Sequence, residues 1–197
     1  IRTGFDEVSL TSLNSGEYGS VAGLISDLMD DFQEDKTSLS LSSLRPSSLN
    51  ERIAEQIRRV RKTGFTMAPE AGTQRLRDVI NKGTSESDIL GGAENAFRQG
   101  WEQLKLYFMI GLPTETDEDI QGILDLAHKI LRIGKQHARR AARITVSASS
   151  FIPKPHTPFQ WLPMESMEML REKQLRIRSG LRNPAIQFKW HDVEVSW

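Results

Sequence analysis

The stretch from Leu104 to Ile120 leaves this chain the fewest choices: Leu-Lys-Leu-Tyr-Phe-Met-Ile-Gly-Leu-Pro-Thr-Glu-Thr-Asp-Glu-Asp-Ile. It opens as a near-continuous apolar run, the pattern of a strand covered on both faces in a parallel sheet. Gly111 and Pro113 break it. Thr116 then stands where a helix is capped, and Asp117, Glu118 and Asp119 fall where the helix dipole is positive. The reading is strand, Gly-Pro turn, helix. In a βα architecture such turns sit at the carboxyl ends of the strands, where ligands bind. Gly111 there lets a ligand approach the backbone, and Glu115 offers a carboxylate on the same rim.

The rest of the chain repeats this alternation. Phe5 to Ser12 reads as a strand, followed by a loop to Gly19. Val21, Leu24, Ile25, Leu28, Met29 and Phe32 form one apolar helical stripe. Thr37 to Leu44 is a second strand. Ser48-Leu-Asn-Glu51 is a capping box that opens a helix ended by Gly64. Phe65 to Ala68 is a short strand stopped by Pro69, and Glu70 to Gly83 a rim loop with a short helix. Ser85-Glu-Ser-Asp88 caps a helix closed by Gly100. After the Leu104 strand and its long helix, Ile144 to Phe151 is a further strand. The prolines of Pro153-Lys-Pro-His-Thr-Pro158 demand an extended, stiff loop. Met164 to Leu181 is an amphipathic helix, and Ile186 to Val195 alternates as a last strand.

This order implies a parallel sheet with helical cover, built of βαβ units. No glycine-rich dinucleotide turn is present, so an open or partial (β/α) barrel fits better than a Rossmann sheet. The ligand rim is Leu13 to Gly19, Ser43 to Pro46, Pro69 to Arg75, Gly111 to Thr116 and Ile152 to Thr157. Ile110, Phe108, Leu106, Leu41 and Val146 are expected in the core.

Composition narrows the chemistry. With 26 basic and 26 acidic residues the net charge is zero, so bulk electrostatics gives no argument for nucleic acid. No apolar run approaches the ~20 residues of a membrane span. There is no cysteine in the 197 residues, which excludes a cysteine nucleophile and any thiolate metal site within them. The chain opens Ile-Arg-Thr-Gly-Phe, without Met, like the last turn of a helix already under way. A segment of a longer protein is the expectation.

Single motifs each admit a plain alternative. Pro69 and Gly72 can simply shape a turn, although the helix start beside them can bind an anion. Gly111 to Thr116 needs no ligand to explain it. Lys154 and His156 are held at the rim by stiff backbone, and His156 serves structure as readily as catalysis. Trp190-His191-Asp192 can orient an imidazole with a carboxylate. His128 and His137 read as solvated surface. The basic residues Arg171, Lys173, Arg176, Arg178 and Arg182 read as a solvated helix face balanced by Glu165, Glu168 and Glu172, or else as a dock for RNA or another domain. A βα barrel with a plain phosphate site is a further alternative.

The motifs taken together, in this order and each at a strand end, are far more specific. Thr11-Ser-Leu-Asn-Ser-Gly-Glu-Tyr-Gly19, Leu41-Ser-Ser-Leu-Arg-Pro46, Ala68-Pro-Glu-Ala-Gly-Thr-Gln-Arg75 onward to Gly83, Ile110-Gly-Leu-Pro-Thr-Glu115 onward to Asp119, and Phe151-Ile-Pro-Lys-Pro-His-Thr-Pro-Phe159 resemble the radical S-adenosylmethionine (SAM) superfamily. The resemblance runs most securely from Phe5 to Phe159. It points to the branch of tRNA methylthiotransferases and the Elongator catalytic subunit, and nearest to uncharacterised cobalamin-binding-domain members. It implies an α/β fold, a partial (β/α)6 TIM-like barrel of parallel strands whose first strand is missing from this chain. It also implies a barrel domain over residues 1–182 with a C-terminal strand or extension over 183–197.

In this family a CxxxCxxC loop after the first strand holds a 4Fe–4S cluster, and reductive cleavage of SAM gives a deoxyadenosyl radical. The first strand here matches the family's second, so the chain is expected to begin downstream of the cluster loop and to be inactive alone. The resemblance implies cofactor contacts at Ser15, Gly16 and Glu17 (the methionine amino group), Ser43 and Arg45 (at the third-strand end, facing the ligand), Glu70 and Arg75 (ribose and carboxylate), and Gly111 and Glu115 (adenine and ribose). Lys154 and His156 are substrate-side candidates. The longer protein would be cytoplasmic, would meet an electron-donor protein and an unknown substrate, and would take cobalamin through an upstream domain.

Overall fold

Six strands and six helices are present in a computed structural model that describes residues 4–11, 18–41, 65–138 and 141–196. Ser15, Gly16, Glu17, Ser43, Arg45, the side chain of Leu41 and the helix expected after Ser48 lie outside the described residues. The elements are β1 (Glu7–Leu10), α1 (Val21–Phe32), β2 (Ser38–Leu41), β3 (Phe65–Glu70), α2 (Gln74–Val79), α3 (Glu86–Arg98), β4 (Gln103–Ile110), α4 (Asp117–His137), β5 (Arg143–Ser150), α5 (Met167–Gly180), β6 (Ile186–Trp190) and α6 (Val193–Ser196).

Every pairing among the described strands is parallel. β1 pairs with β2, and β3, β4, β5 and β6 follow one another in a four-stranded sheet. Parallel neighbours need a crossover, and the chain supplies a helix between each pair. Consecutive carboxyl ends therefore come out on one side.

The helices form where their ends are satisfied. Ser85 accepts the Asp88 N–H at 3.1 Å while Asp88 accepts the Ser85 N–H at 2.9 Å, a complete capping box on α3. At α4 the Asp119 carboxylate reaches back to the Thr116 N–H at 2.8 Å, and three acids occupy the first turn. Gly100, at φ 87°, ends α3 in the left-handed region that glycine tolerates. The apolar stripes of α3, α4 and α5 bury Ile89, Phe97, Ile120, Ile123, Ile130, Leu170 and Ile177 against Leu104, Leu106, Phe108, Ile110 and Val146.

Four expectations are corrected. β4 is not covered on both faces: Leu104, Leu106, Phe108 and Ile110 are buried, but Tyr107 on the other face is 36% exposed and Lys105 lies over its ring. β5, by contrast, buries both faces along Ile144 to Ala148. Pro69 does not stop β3; the strand runs to Glu70, with its pairing to β4 shifted between Met67 and Glu70, and a bulge is where a strand admits proline. Residues 153–158 are not extended but folded into turns closed by Thr157 donating to the Lys154 carbonyl at 2.6 Å and by Gln160 N–H to the Thr157 carbonyl. The last strand ends at Trp190, because Asp192 caps a short helix by accepting the Glu194 N–H at 3.0 Å.

Candidate functional site

The carboxyl ends of β3, β4 and β5 surround a cavity of about 650 Å³. Its walls are largely apolar: Val79 and Ile80 from the end of α2, Met109 and Leu112 around the end of β4, and Phe151, Ile152, Pro158 and Phe159 beyond β5. Phe151 and Phe159 meet edge to face at 6.0 Å, and with Ala71, Leu76 and Leu112 they form a second, smaller apolar cluster. The walls also carry polar side chains, Ser149 and Thr157 among them. Glu70 and Lys82 pair at 3.1 Å. Lys154 and Asn81 are exposed on the walls. Ser150 is 7% exposed, and its hydroxyl has no hydrogen-bond partner. An apolar pocket with a few converging polar groups, one of them buried and unmatched, is built to orient a small molecule.

Behind one wall the chemistry is different. The Gly111–Glu115 turn closes on itself: Gly111 N–H donates to Glu115 Oε2 at 2.8 Å, and Glu115 N–H donates to the Leu112 carbonyl at 3.0 Å. Lys173 of α5 reaches Glu115 Oε2 at 2.7 Å and both oxygens of Glu165 at 2.7 and 2.8 Å. Burial pushes the Glu115 carboxyl above its ordinary range, against the pull of Lys173 and the Gly111 N–H. Burial also works against the Lys173 ammonium, but its two carboxylates outweigh that and hold its pKa up.

The other end of the turn is held by Arg75. It donates to the Thr114 carbonyl at 2.8 Å, to Thr114 Oγ1 at 3.2 Å and to Asp119. Asp119, 1% exposed, also accepts from Thr73. Burial opposes its charge, yet the hydrogen bonds from Thr73, the Thr116 N–H, Arg75 and the Thr116 hydroxyl hold its carboxyl below the usual range. Asp119 thus lies against the start of α2, the helix start that can bind an anion. Gly72 makes this approach feasible, since a Cβ there would overlap the backbone of Asp119 and Ile123. Arg77, wholly buried, donates to the Ala71 and Gly72 carbonyls at 2.9 and 3.3 Å, and desolvation lowers its pKa despite Glu86 and Asp78.

Of the described residues expected at the site, Glu70 and Lys154 line the cavity. Arg75 and Glu115 stand behind it in ion pairs, and the space a Gly111 side chain would need is taken by Leu170 and Glu165. His156, at φ 63°, is exposed and donates its N–H to Gln160 at 3.2 Å. The five-residue basic face is likewise mostly committed: Arg171 pairs with Glu194, Arg176 with Asp117 and buried Lys173 as above, while Arg178 lies over Trp190 at 5.6 Å. Sequence reasoning passed over Ser150, Phe159, Lys82, Met109 and Leu112. For Ser150 a signal existed: two consecutive serines end the strand, with Phe151 and Ile152 between them and the proline-rich loop.

No helix among the described residues is long and apolar enough to cross a membrane, and no three His, Cys, Asp or Glu side chains among them gather as a metal would need.

A family model described as "Radical SAM superfamily" matches residues 4–127, more than half of the chain. The chain is 34% identical over 188 residues to "Uncharacterized protein MJ0966" of Methanocaldococcus jannaschii, covering 95% of this chain and 38% of that protein. It is 22% identical over 143 residues to "Uncharacterized protein MJ1620" of the same organism, covering 73% of this chain and 26% of that protein. The chain therefore spans well under half the length of these relatives.

Proposed function

The chain belongs to the radical SAM superfamily, and from that premise we propose that its strand-end cavity receives the adenosine half of S-adenosylmethionine. At the level of the family the chemistry is SAM-dependent and iron–sulfur-based. The single observation that carries the reading is the unpartnered, buried Ser150 hydroxyl on the wall of a mainly apolar cavity at the strand ends. A flat heteroaromatic base gains most from such walls, and its ring nitrogens and amino group offer the hydrogen bond that Ser150 lacks. Glu70 and Lys154 are the polar groups we place toward the ribose and the substrate side. Arg75, Gly111 and Glu115 act on this reading by shaping the cavity from behind.

The 4Fe–4S cluster supplies the electron for SAM cleavage when it is bound. These 197 residues contain no cysteine, so they offer such a cluster no thiolate ligands. On this reading the chain alone binds SAM but does not cleave it, and the cluster ligands, the substrate and any cobalamin belong to further sequence of the longer protein.

Equilibrium titration tests the proposal. SAM should bind the chain, adenosine should compete with it, and methionine should not. Val79→Trp, which fills the cavity from a half-exposed position, should abolish binding while the fold persists by circular dichroism. Competition by methionine but not adenosine, or undiminished binding by the Trp variant, would sink the assignment of this cavity. Iron and sulfide reconstitution should leave the chain without visible cluster absorbance.

A further inference from the structure

We propose that Lys173 is a positioning residue: through Glu115 it fixes the Gly111–Leu112 backbone and so sets the wall of the cavity against which a ligand packs. The part that concerns SAM rests on the reading above; the part that concerns the backbone does not.

The argument starts from burial. Lys173 is 9% exposed on a helix whose other buried side chains are mainly apolar. A buried ion pair adds little net stability against an apolar residue of the same size, because desolvation offsets attraction. A methionine at 173 would pack as well. What it could not do is hold a carboxylate in one place. Glu115 is 2% exposed, and the Oε2 atom that takes the Lys173 ammonium at 2.7 Å also takes the Gly111 N–H at 2.8 Å. The ammonium therefore draws the oxygen that anchors the turn.

The turn needs an anchor. Gly111 has φ 77° and Thr114 φ 64°, a conformation that costs a threonine free energy and persists only when its surroundings impose it. Arg75 holds Thr114 from one end; Lys173 holds Gly111 from the other. Between them Leu112 is placed on the cavity wall beside Met109. Glu165 completes the arrangement: its carboxylate takes the same ammonium and lies where a Gly111 side chain would go. Helix α5 thus senses the shape of the β4 turn through one cation.

The experiment measures amide hydrogen exchange at Gly111 by NMR in the ligand-free chain, and SAM affinity separately. Lys173→Met should speed Gly111 exchange about tenfold, as expected for losing a charge-assisted hydrogen bond, while Leu106 and Phe108 in β4 stay protected. SAM affinity should fall by a similar factor. Glu115→Gln keeps an acceptor but removes the charge; it should release Gly111 to the same extent, and the double variant should be no worse than either single one. Should Lys173→Met fail to fold, Glu115→Gln alone decides: retained Gly111 protection overturns the proposal. Unchanged exchange in Lys173→Met, or additive effects in the double variant, overturns it as well. If exchange responds but the wild-type chain binds no SAM, the positioning stands and the cavity assignment falls.

Discussion

The Gly111–Thr116 turn has two sides that share a backbone and little else. On the side facing α2 and α5, charge is concentrated and largely paired: half-exposed Arg75 with buried Asp119, Lys173 with Glu115 and Glu165, and buried Arg77 on backbone carbonyls with only its Nε left without a partner. On the side facing the cavity the surface is mainly apolar, with the Glu70–Lys82 pair and Lys154 on its walls, and the buried Ser150 Oγ is unmatched. A matched charge is spoken for within the fold. An unmatched hydroxyl beside apolar walls still has a hydrogen bond to make. Arg75, Lys173 and Glu115 thus mark the frame of the site, while its interior is mainly apolar, with Ser150 among its walls.

The largest effect should come from breaking the frame where backbone meets backbone. Gly72→Ala puts a methyl group into the Asp119 and Ile123 backbone, which cannot yield as a side chain can. We expect a loss of about 2–4 kcal/mol in urea unfolding. Val79→Ala, on the cavity side and 38% exposed, should cost less than about 1 kcal/mol. Comparable losses from the two substitutions would erase the distinction between frame and interior.

A smaller effect separates two carboxylates within the frame. Asp119 has a lowered folded pKa, so its contribution to stability is present above its unfolded value, near 3.8, and is lost as pH falls through the folded one. Glu115 has a raised folded pKa, above 4.5, so protonating it on the way down favours the folded state instead. Asp119→Asn should destabilise the chain by about 1–3 kcal/mol near pH 6, and the gap from wild type should narrow at pH 3. Urea titrations at both pH values would measure it. A gap of constant size would mean that the charge of Asp119 does not tie α2 to α4.

The frame was the more legible part in sequence. Apolar periodicity placed α3, α4 and α5, and Ser85 with Asp88, like Thr116 with the three acids after it, declared two helix starts, because caps are local chemistry within one turn. Glu70 ends β3, Arg75 follows in the first turn of α2, and Glu115 lies in the turn after β4. Which way they point was not legible. Glu115 meets Lys173 across 58 positions, and Arg75 meets Asp119 across 44, so neither pairing leaves a local trace. Lys173 itself was hidden in a run of basic residues whose other members sit on the helix surface or reach other elements. Pro69 was misread for a related reason: its strand tolerates it through a bulge made with β4, a partner more than thirty residues away. The cavity's Ser150 and Phe159 were passed over because serine and phenylalanine at a loop edge have many unremarkable uses. Only the tertiary structure shows one lacking a partner and the other closing a wall.

The smallest effect is the most diagnostic of the interior. Ser150→Ala removes a buried hydroxyl that makes no hydrogen bond within the chain. Leaving such a group unsatisfied costs about 1–3 kcal/mol, so its removal should leave stability unchanged or raise it by up to about 1 kcal/mol once the lost packing is counted. Almost every other buried substitution lowers stability, which makes the sign itself informative. SAM affinity should move the other way, weakening by roughly three- to tenfold, the worth of one neutral hydrogen bond. Ser149→Ala is the control: that hydroxyl already points to the Phe108 carbonyl, at 3.5 Å, and is half-buried on the same wall. Its loss should change neither stability nor affinity appreciably. A Ser150 variant that loses stability would mean the hydroxyl has a partner in the folded chain. One that gains stability without losing affinity would mean the ligand does not reach it. Opposite signs for stability and binding at Ser150, and silence at Ser149, are what an unfilled hydrogen bond waiting on a ligand requires.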